Sequence, residues 1–289
     1  MILLTGATGQ VGRYVLQEMR SRATEPLRIM CRSEKDLAAL PAGVAGVKGD
    51  FADKPSLAAA LSGVDSAFLV CAPVATLVEL ETNFLQACKT AGVKHLVIHS
   101  ALGAGDFPRS FPSWHRKVED TARSLGIPSV ILRPNGFMQN IGAFWAPTIR
   151  SQDAFYDSVG DAKISFIDIR DVASAVAAAL LDYSTAGNVY ELSGPAAFTH
   201  DQIAALLSKT TGRTIRYVNL PAAQLKAGML AAGMPENQAT AILDLNDYYI
   251  SGKGEASDAS LRSLLAHNPP RTLENYLAEN APAFAKSPA

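Results

Sequence analysis

The sequence opens with an apolar run that leads directly into a turn with three evenly spaced glycines. The run ILLT, residues 2–5, precedes Gly6, Gly9 and Gly12, which have the spacing G-x-x-G-x-x-G, and a helical pattern starts near residue 10. A turn needs one or two glycines for its backbone conformation. Three glycines indicate that another group approaches the backbone closely. Between a strand and a helix, this spacing is typical of a dinucleotide-binding turn.

Each glycine of this turn has a physical role in that interpretation. Gly6 makes the tight turn, Gly9 lets a pyrophosphate reach backbone N–H groups, and Gly12 allows the helix to lie close to the strand. The helix N-terminus adds partial positive charge for the phosphates. A purely structural turn is the alternative. We predict a cofactor loop made of Gly6, Thr8, Gly9, Gln10, Val11 and Gly12.

The end of the second strand predicts which dinucleotide is bound. No carboxylate follows the run LRIMC, residues 27–31, as one would for the ribose 2′-OH of NAD. Arg32 follows instead, with Ser33 and Lys35 nearby. A guanidinium group matches a phosphate in bidentate geometry. These residues favour NADPH, and a solvated arginine in a loop is the alternative.

Two later strand ends complete the predicted cofactor cradle. Asp50 and Phe51 follow the third strand, where they would meet the adenine. Cys71, Ala72 and Pro73 follow the fourth strand, beside the sugar and phosphates. Both assignments follow from the rule that ligands bind at the carboxyl ends of parallel strands. Ordinary loops are the alternative at both places.

The order of apolar and helical patterns predicts the fold class. Short apolar runs alternate with single helices up to about residue 134, which implies right-handed βαβ units and a parallel sheet. The runs are continuously apolar, as in strands covered by helices on both faces. We predict an α/β, doubly wound Rossmann domain over residues 1–134. Residues 135–289 would form a smaller substrate-binding lobe, and 164–183 would return to the main sheet as a strand and a helix.

Composition narrows the class of partner. The 289 residues carry 26 Lys and Arg against 27 Asp and Glu, without a basic tract, which argues against nucleic acid. Cys31, Cys71 and Cys88 form no C-x-x-C pair and read as reduced, with any redox sensitivity left open. No signal peptide or membrane span is visible. We expect a cytoplasmic protein with a small-molecule partner and no metal; a homodimer is compatible with the sequence, which does not define the oligomeric state.

In these motifs the chain resembles the NmrA-like atypical short-chain dehydrogenase/reductases, especially their quinone oxidoreductase and triphenylmethane dye reductase types. The resemblance covers nearly the whole chain and rests on short motifs: TGATGQVG at 5–12, AGVKHLV at 91–97, LRPNGFMQN at 132–140, FIDIRDVA at 166–173 and YELSGP at 190–195. It implies a Rossmann fold and NADP(H) binding. The same family also holds regulators that bind NADP without turning it over.

The chain departs from ordinary short-chain dehydrogenases in its catalytic helix. Those enzymes use a Tyr-x-x-x-Lys pair after the fifth strand, whereas SWHRK here places Ser113 where the tyrosine would stand, four residues before Lys117. Lys117, His115 and Ser100 remain candidates for assisting groups. By the resemblance, Lys117 would bind ribose hydroxyls, and Ser100 would bind the cofactor or a substrate oxygen. A solvated lysine and a loop-capping serine are the alternatives.

An electrophilic acceptor would not need the missing tyrosine. A quinone, dye or enone mainly requires orientation over the nicotinamide in an apolar pocket. We predict an NADPH-dependent oxidoreductase of such acceptors; the alternative is a redox sensor acting through a protein partner, and sugar-nucleotide epimerisation ranks third. Several residues of the second lobe are candidates for the pocket wall, although core packing would explain most of them singly: Asn135, Phe137, Met138, Asn140, Phe144 and Trp145, with Tyr156 and Trp114 as further candidates.

Overall fold

The computed structural model of the protein describes residues 1–265 and 268–286. Nine strands occur in these residues, and seven of them form one sheet. The strands are β1 Ile2–Leu4, β2 Leu27–Cys31, β3 Ala45–Lys48, β4 Ser66–Leu69, β5 His95–His99, β6 Ser129–Pro134, β7 Ala154–Asp157, β8 Val189–Leu192 and β9 Arg216–Asn219.

Helices connect almost all of these strands. None of the helices in the described ranges is long and apolar enough to cross a membrane. The α-helices are α1 Gly12–Arg22, α2 Glu34–Ala38, α3 Lys54–Leu61, α4 Leu77–Ala91, α5 Ser110–Ser124, α6 Met138–Asn140, α7 Ala146–Gln152, α8 Ile169–Leu181, α9 His200–Thr211, α10 Ala222–Ala231, α11 Glu236–Tyr248, α12 Ala259–Leu265 and α13 Leu273–Glu279. Two π-helical turns, Ile141–Trp145 and Tyr249–Lys253, and two 3₁₀ turns, Tyr183–Thr185 and Ala281–Phe284, complete the set.

The main sheet confirms the predicted doubly wound Rossmann fold. Its strand order is β3-β2-β1-β4-β5-β6-β8, and every neighbouring pair is parallel. The order reverses between β1 and β4, so the connections leave on opposite sides and open a crevice at the carboxyl ends. This crevice lies directly above the glycine turn that follows β1.

Two hydrophobic layers cover the sheet. On one face, α1, α8 and α12 pack on side chains such as Leu4 and Val97. On the other face, α3, α4 and α5 pack on side chains such as Leu3 and Leu96. Neighbouring residues of one strand therefore enter opposite layers, which explains the continuously apolar strands in the sequence.

A third hydrophobic cluster holds the remainder of the chain together. Strands β7 and β9 pair in a parallel two-stranded sheet, which supports a core that includes Phe155, Phe284 and Leu207. Helix α9 begins with the capping box that Thr199 and Gln202 form. This cluster lies at the carboxyl ends of β5 and β6, where it borders the crevice.

The segment 164–183 differs from the prediction that it returns to the sheet as a strand and a helix. Helix α8 does pack on the main sheet, but the seventh strand is β8, and 164–167 forms only isolated bridges to Phe137 and Phe198. The physical reason is that three loops, rather than a neighbouring strand, form hydrogen bonds with its backbone. The N–H of Ile167 donates to the carbonyl of Gly136, the N–H of Ser165 donates to the carbonyl of Gly254, and the carbonyl of Ser165 accepts from the N–H of Gly194. The segment therefore ties the second lobe to the crevice.

Candidate cofactor and active site

The glycine turn is closed so tightly that Gly12 has no room for a side chain. Gly6 has a φ of +61°, and its carbonyl accepts a hydrogen bond of 2.9 Å from the N–H of Gly9. A Cβ on Gly12 would lie 2.1 Å from that same carbonyl oxygen. Thr5 anchors the turn to the neighbouring strand, since its Oγ1 donates to the carbonyl of Phe68 at 2.9 Å and accepts from the N–H of Val70 at 3.0 Å.

The open side of this turn is suited to phosphate. Thr8, Gly9 and Gln10 are exposed, whereas Val11 and Gly12 are buried. Helix α1 has no side-chain N-cap and no acidic residue in its first turn. Its positive dipole end therefore faces the crevice without a competing acceptor from its own cap.

Arg32 and Lys35 stand exposed after β2, as the NADPH prediction requires. Arg32 has no ion-pair partner in the described part of the chain. Ser33 instead caps helix α2, because its hydroxyl accepts from the N–H of Asp36 at 3.1 Å and donates to that residue's carboxylate at 2.7 Å. Arg32 and Lys35 thus both present cationic groups at this strand end without an ion-pair partner among the described residues, and Arg32 is the one with a guanidinium group.

Asp50 and Phe51 follow β3 with different surroundings. Asp50 is half-buried, and its Oδ1 accepts from the N–H of Ala52 at 2.9 Å. Phe51 is 8% exposed, and its ring packs on Phe84 with centroids 5.1 Å apart. The Phe51 ring is therefore core, contrary to the expectation that it meets the adenine, because the apolar layer beneath α3 and α4 takes it up.

Cys71, Ala72 and Pro73 form the loop after β4. Ala72 and Pro73 are exposed, and Cys71 is half-buried. Burial, followed by the charge of Glu81, raises the pKa of the Cys71 thiol to about 11. Burial also raises the pKa of Cys88 far above its usual range. Neither thiol forms appreciable thiolate at neutral pH, so neither has the character of a redox-sensing cysteine.

A buried ionic network lies beneath Ser100 at the end of β5. The Ser100 hydroxyl donates to Glu119 at 2.6 Å, and Arg133 donates two hydrogen bonds to the same carboxylate, at 2.9 and 2.7 Å. Arg123 adds a third cationic donor at 3.0 Å. Burial alone would raise the pKa of Glu119, but the hydrogen bonds from Arg133 and Ser100 outweigh it and hold that pKa below its ordinary value. Ser100 therefore donates its proton to an ionised carboxylate.

Helix α5 carries Ser113 at the position of the usual tyrosine and the two candidate assisting groups His115 and Lys117, and the three side chains have different surroundings. Ser113 donates its hydroxyl to the carbonyl of Ser110 at 2.9 Å, and Lys117 is exposed. His115 is buried, its Nδ1 has no hydrogen-bond partner within the described ranges, and burial lowers its pKa to about 4. A neutral His115 cannot serve as a cationic acid, and Lys117 remains available for ribose hydroxyls.

Two predicted pocket residues pack inside the protein. Asn135 is 4% exposed, its Nδ2 donates to the carbonyl of Gly254 at 3.0 Å, and its Oδ1 accepts from the N–H of Gly136 at 2.8 Å. Met138 is 1% exposed within the third hydrophobic cluster. Both side chains hold the loop after β6 in place, so neither offers free surface to an acceptor.

The other predicted wall residues divide into accessible and packed groups. Phe144 is 59% exposed, and Phe137 and Asn140 are half-buried beside the crevice. Trp145 stacks on Phe155 with centroids 4.4 Å apart and belongs to the lobe's core. The two further candidates also contact protein: Trp114 packs edge-on against Phe111, and the Tyr156 hydroxyl donates to Gln152.

Comparison with known proteins agrees with this geometry. The sequence model of the NmrA-like family matches residues 1–277. The chain belongs to the NmrA-like family. An NAD(P)H azoreductase from Xenophilus azovorans is 33% identical over 288 residues, which cover 98% of this chain and 99% of that protein. A (4-alkanoyl-5-oxo-2,5-dihydrofuran-3-yl)methyl phosphate reductase from Streptomyces griseus is 34% identical over 287 residues, with 99% of both chains covered. The crystal structure of an NADPH-dependent quinone oxidoreductase from Escherichia coli, complexed with NADPH, has a TM-score of 0.89 at 31% identity and covers 98% of this chain and 99% of that one.

This NmrA-like protein contains buried polar groups that the sequence predictions missed. Glu119 lies in the buried stripe of α5 with Pro112, His115, Val118 and Ala122. Glu81 lies in the buried stripe of α4 between Leu77 and Phe84. A carboxylate within the apolar stripe of an amphipathic helix is the signal that would have found both.

Of these two carboxyl groups, Glu81 is the one whose ionised form the folded protein disfavours. It is fully buried, and neither carboxyl oxygen has a hydrogen-bond partner in the part of the chain that the structure describes. Burial raises its pKa from 4.5 to about 8, although the backbone of Cys71 acts in the opposite direction. The folded NmrA-like protein therefore holds Glu81 protonated at neutral pH, whereas the unfolded chain holds it ionised.

Replacing Glu81 with glutamine is expected to stabilise the protein at neutral pH. Because folding raises the pKa of Glu81, the contribution of this group to the unfolding free energy is complete below pH 4.5. It is lost as the pH rises from 4.5 through 8, where the unfolded chain ionises Glu81 and the folded protein does not. Glutamine does not ionise, so the variant should gain about 3 kcal/mol in unfolding free energy at pH 7 and almost nothing below pH 4.5. Urea unfolding at several pH values measures this difference. The exposed Glu79 on the same helix is the control, and a Glu79→Gln change should show no such pH dependence; equal profiles for both variants would contradict the assignment.

Proposed function

We propose that this protein is an NADPH-dependent reductase that transfers hydride to an electrophilic conjugated acceptor, such as a quinone, an azo dye or an enone. One observation carries the proposal: the glycine turn is suited to bind phosphate, while helix α5 has no tyrosine at the position where related dehydrogenases hold their proton donor. The turn accepts a dinucleotide, and the position of the usual tyrosine holds Ser113, which bonds its own helix.

The chain is an NAD(P)H-dependent oxidoreductase, in line with its azoreductase and quinone oxidoreductase relatives. Its own residues fit that cofactor. A Cβ at Gly12 would overlap the Gly6 carbonyl, so glycine at this position lets helix α1 begin close to β1, and the exposed Gly9 leaves backbone accessible to a pyrophosphate. Arg32 is exposed directly after β2, and we assign it to the ribose 2′-phosphate because a guanidinium group matches a phosphate. NADPH would thus be held by the turn and Arg32, with Lys117 near the ribose hydroxyls.

The acceptor class follows from the missing acid. Reduction of an unactivated ketone needs a positioned proton donor. Here Ser100 donates to the ionised Glu119, and His115 is neutral. The relatives agree in chemistry, since their names describe azo compounds, quinones and a dihydrofuranone conjugated to a carbonyl group. Such acceptors take up hydride readily, and water can then protonate the product.

In this mechanism the protein mainly orients and shields the reactants. Bound NADPH supplies the hydride from its nicotinamide ring. The Ser100–Glu119–Arg133 network ties the carboxyl ends of β5 and β6 to helix α5 and would hold them in place when NADPH is bound. Phe137 and Phe144 offer apolar surface over which a planar acceptor can lie. The acceptor gains one hydride from the cofactor and one proton from solvent, which balances the two-electron reduction.

An acceptor panel tests the proposal. Purified protein is mixed with NADPH and a quinone, an azo dye, an enone or an unactivated ketone, and cofactor absorbance is followed. We expect oxidation of NADPH with the first three classes and none with the ketone. Tight NADPH binding without oxidation would instead indicate the redox sensor, and the partner would then be sought by pull-down in both redox states.

Arg32 is expected to determine the preference for NADPH over NADH. A charge-assisted, bidentate contact to phosphate is worth about 1.5–3 kcal/mol, so Arg32→Ala should weaken NADPH binding about 10- to 100-fold and leave NADH binding unchanged. Fluorescence titration with both cofactors measures this. Arg20 is an exposed arginine in the last turn of α1 and serves as the control. Equal losses for NADPH and NADH in Arg32→Ala would contradict the role.

A further inference from the structure

His99, at the carboxyl end of β5, has an unsatisfied polar atom. It is the last residue of β5, and its Nε2 is buried without a hydrogen-bond partner in the described residues. Burial, and then the proximity of His115, lowers the pKa of His99 to about 3, so the ring is neutral. A buried polar atom without a partner costs about 1–3 kcal/mol and needs an explanation. A ligand that supplies the partner is one such explanation.

The sheet shows which side of the crevice His99 faces. His95 lies on the same face, since four residues separate the two, and its Nε2 hydrogen-bonds the carbonyl of Ala179 on α8 at 2.7 Å. His99 therefore faces the layer that contains α1 and α8. Ser100 faces the opposite layer, where it meets Glu119 on α5. The unsatisfied nitrogen is thus separate from the ionic network.

Neighbouring residues place the His99 ring beside the glycine turn. Leu69 of β4 pairs with Ile98 of β5, so Val70 lies next to His99. The Val70 side chain in turn touches the turn, since its Cγ1 would lie 2.7 Å from a Cβ on Gly6. On the other side, the ring meets Phe137 edge-on with centroids 6.1 Å apart. His99 therefore lies between the phosphate turn and the predicted acceptor wall.

The strand order indicates which half of a dinucleotide reaches this place. Arg32 follows β2, the glycine turn follows β1, and β4 and β5 come next across the sheet. Adjacent strands are about 4.8 Å apart, so the end of β5 lies about 10 Å beyond β1, on the side away from Arg32. With the 2′-phosphate at Arg32 and the pyrophosphate at the turn, the nicotinamide half extends over β4 and β5.

We propose that His99 is a cofactor-binding residue whose imidazole hydrogen-bonds the nicotinamide half of bound NADPH. This inference rests on the proposed function, and it assigns a residue that the Rossmann motifs do not include. The ring can rotate about its Cβ–Cγ bond to present a nitrogen to the ligand. Binding would then give the Nε2 of His99 the hydrogen-bond partner that it lacks among the described residues.

The test compares two ligands that differ in the nicotinamide half. NADPH contains it, whereas adenosine 2′,5′-bisphosphate contains only the end that Arg32 would recognise. Changing His99 to phenylalanine should weaken NADPH binding about tenfold, consistent with one lost hydrogen bond, and leave the bisphosphate affinity unchanged. The melting temperature of the ligand-free variant should equal or exceed that of the unaltered protein. His99→Gln keeps an amide donor and should recover most of the NADPH affinity.

His95 supplies the matched control, because it is buried on the same strand and face and its Nε2 is held by the carbonyl of Ala179 within the protein, away from the crevice. Its Nδ1 is also buried without a partner among the described residues, so the two histidines differ in position and not in the number of unsatisfied nitrogens. His95→Phe should lower the melting temperature and leave the ratio of the two affinities unchanged. Unchanged NADPH affinity in His99→Phe, or an equal loss for both ligands, would overturn the inference and leave the proposed function standing. Failure of the unaltered protein to bind NADPH would overturn the proposed function itself.

Discussion

Replacing Gly12 with alanine is expected to weaken NADPH binding about 100-fold and to destabilise the first βαβ unit. The added Cβ would lie 2.1 Å from the Gly6 carbonyl oxygen, 2.6 Å from its carbon and 2.9 Å from the Ala7 Cα. All three are backbone atoms, so no side chain can move aside to relieve the overlap. The turn or helix α1 must shift, and either movement misplaces the N–H groups that face the phosphates. Cofactor titration and thermal unfolding measure the two effects.

Gly228 provides the control for this substitution. It lies within α10, and a Cβ there would meet no atom within 4 Å. Gly228→Ala should therefore leave NADPH binding unchanged and stabilise the protein by up to about 1 kcal/mol, because alanine favours the helix. A Gly12→Ala protein that binds NADPH like the unaltered protein would show that the turn does not hold the dinucleotide.

Replacing Glu119 with alanine is expected to cost about 3–5 kcal/mol of unfolding free energy. The change removes the carboxylate that Arg133 and Ser100 donate to. Among the described residues it leaves the guanidinium of Arg133, a residue that is 8% exposed, with the longer contact of 3.3 Å to Glu191. An uncompensated buried charge accounts for most of this loss. Denaturant unfolding measures it, and reduced turnover should accompany it because the end of β5 loses its anchor.

Asp120 is the neighbouring control for Glu119. Its carboxylate pairs with Arg116 and Arg123 on the exposed side of α5. Asp120→Asn should change stability by about 0.5 kcal/mol or less, because exposed ion pairs contribute little. Similar losses for Glu119→Ala and Asp120→Asn would contradict the view that the buried network holds the strand ends.

Local sequence patterns were sufficient to predict those features of the protein that depend on residues close together in sequence. The strands up to residue 134, the glycine turn and the exposed Arg32 all follow from neighbouring residues, and the sheet order confirms the fold class. The turn could be recognised because strand, glycines and helix are contiguous in sequence. The same reasoning correctly placed the strand ends at one edge of the sheet.

Contacts between distant segments explain what sequence reasoning missed. Residues 164–167 have an apolar strand pattern, yet loops around Gly136, Gly194 and Gly254 take up their backbone groups. Phe51 follows a strand like a ligand residue, but Phe84 on α4 draws its ring into the core. The ion pair of Glu119 on α5 with Arg133 forms only when strand β6 packs beside that helix. The apolar stripe of α5 marks Glu119 as a buried carboxylate, but the identity of its partners depends on the assembled sheet and cannot be found from neighbouring residues.

Turnover with isotopically labelled cofactor is the decisive experiment for hydride transfer without a protein acid. Purified protein is mixed with a quinone and either NADPH or NADPH deuterated at the transferred position of the nicotinamide, and oxidation is followed by stopped flow. We predict that the protein oxidises NADPH faster than buffer does and that deuterium slows this oxidation. Tight binding of NADPH with no oxidation, for the quinone and for every other conjugated acceptor, would contradict the proposed reductase.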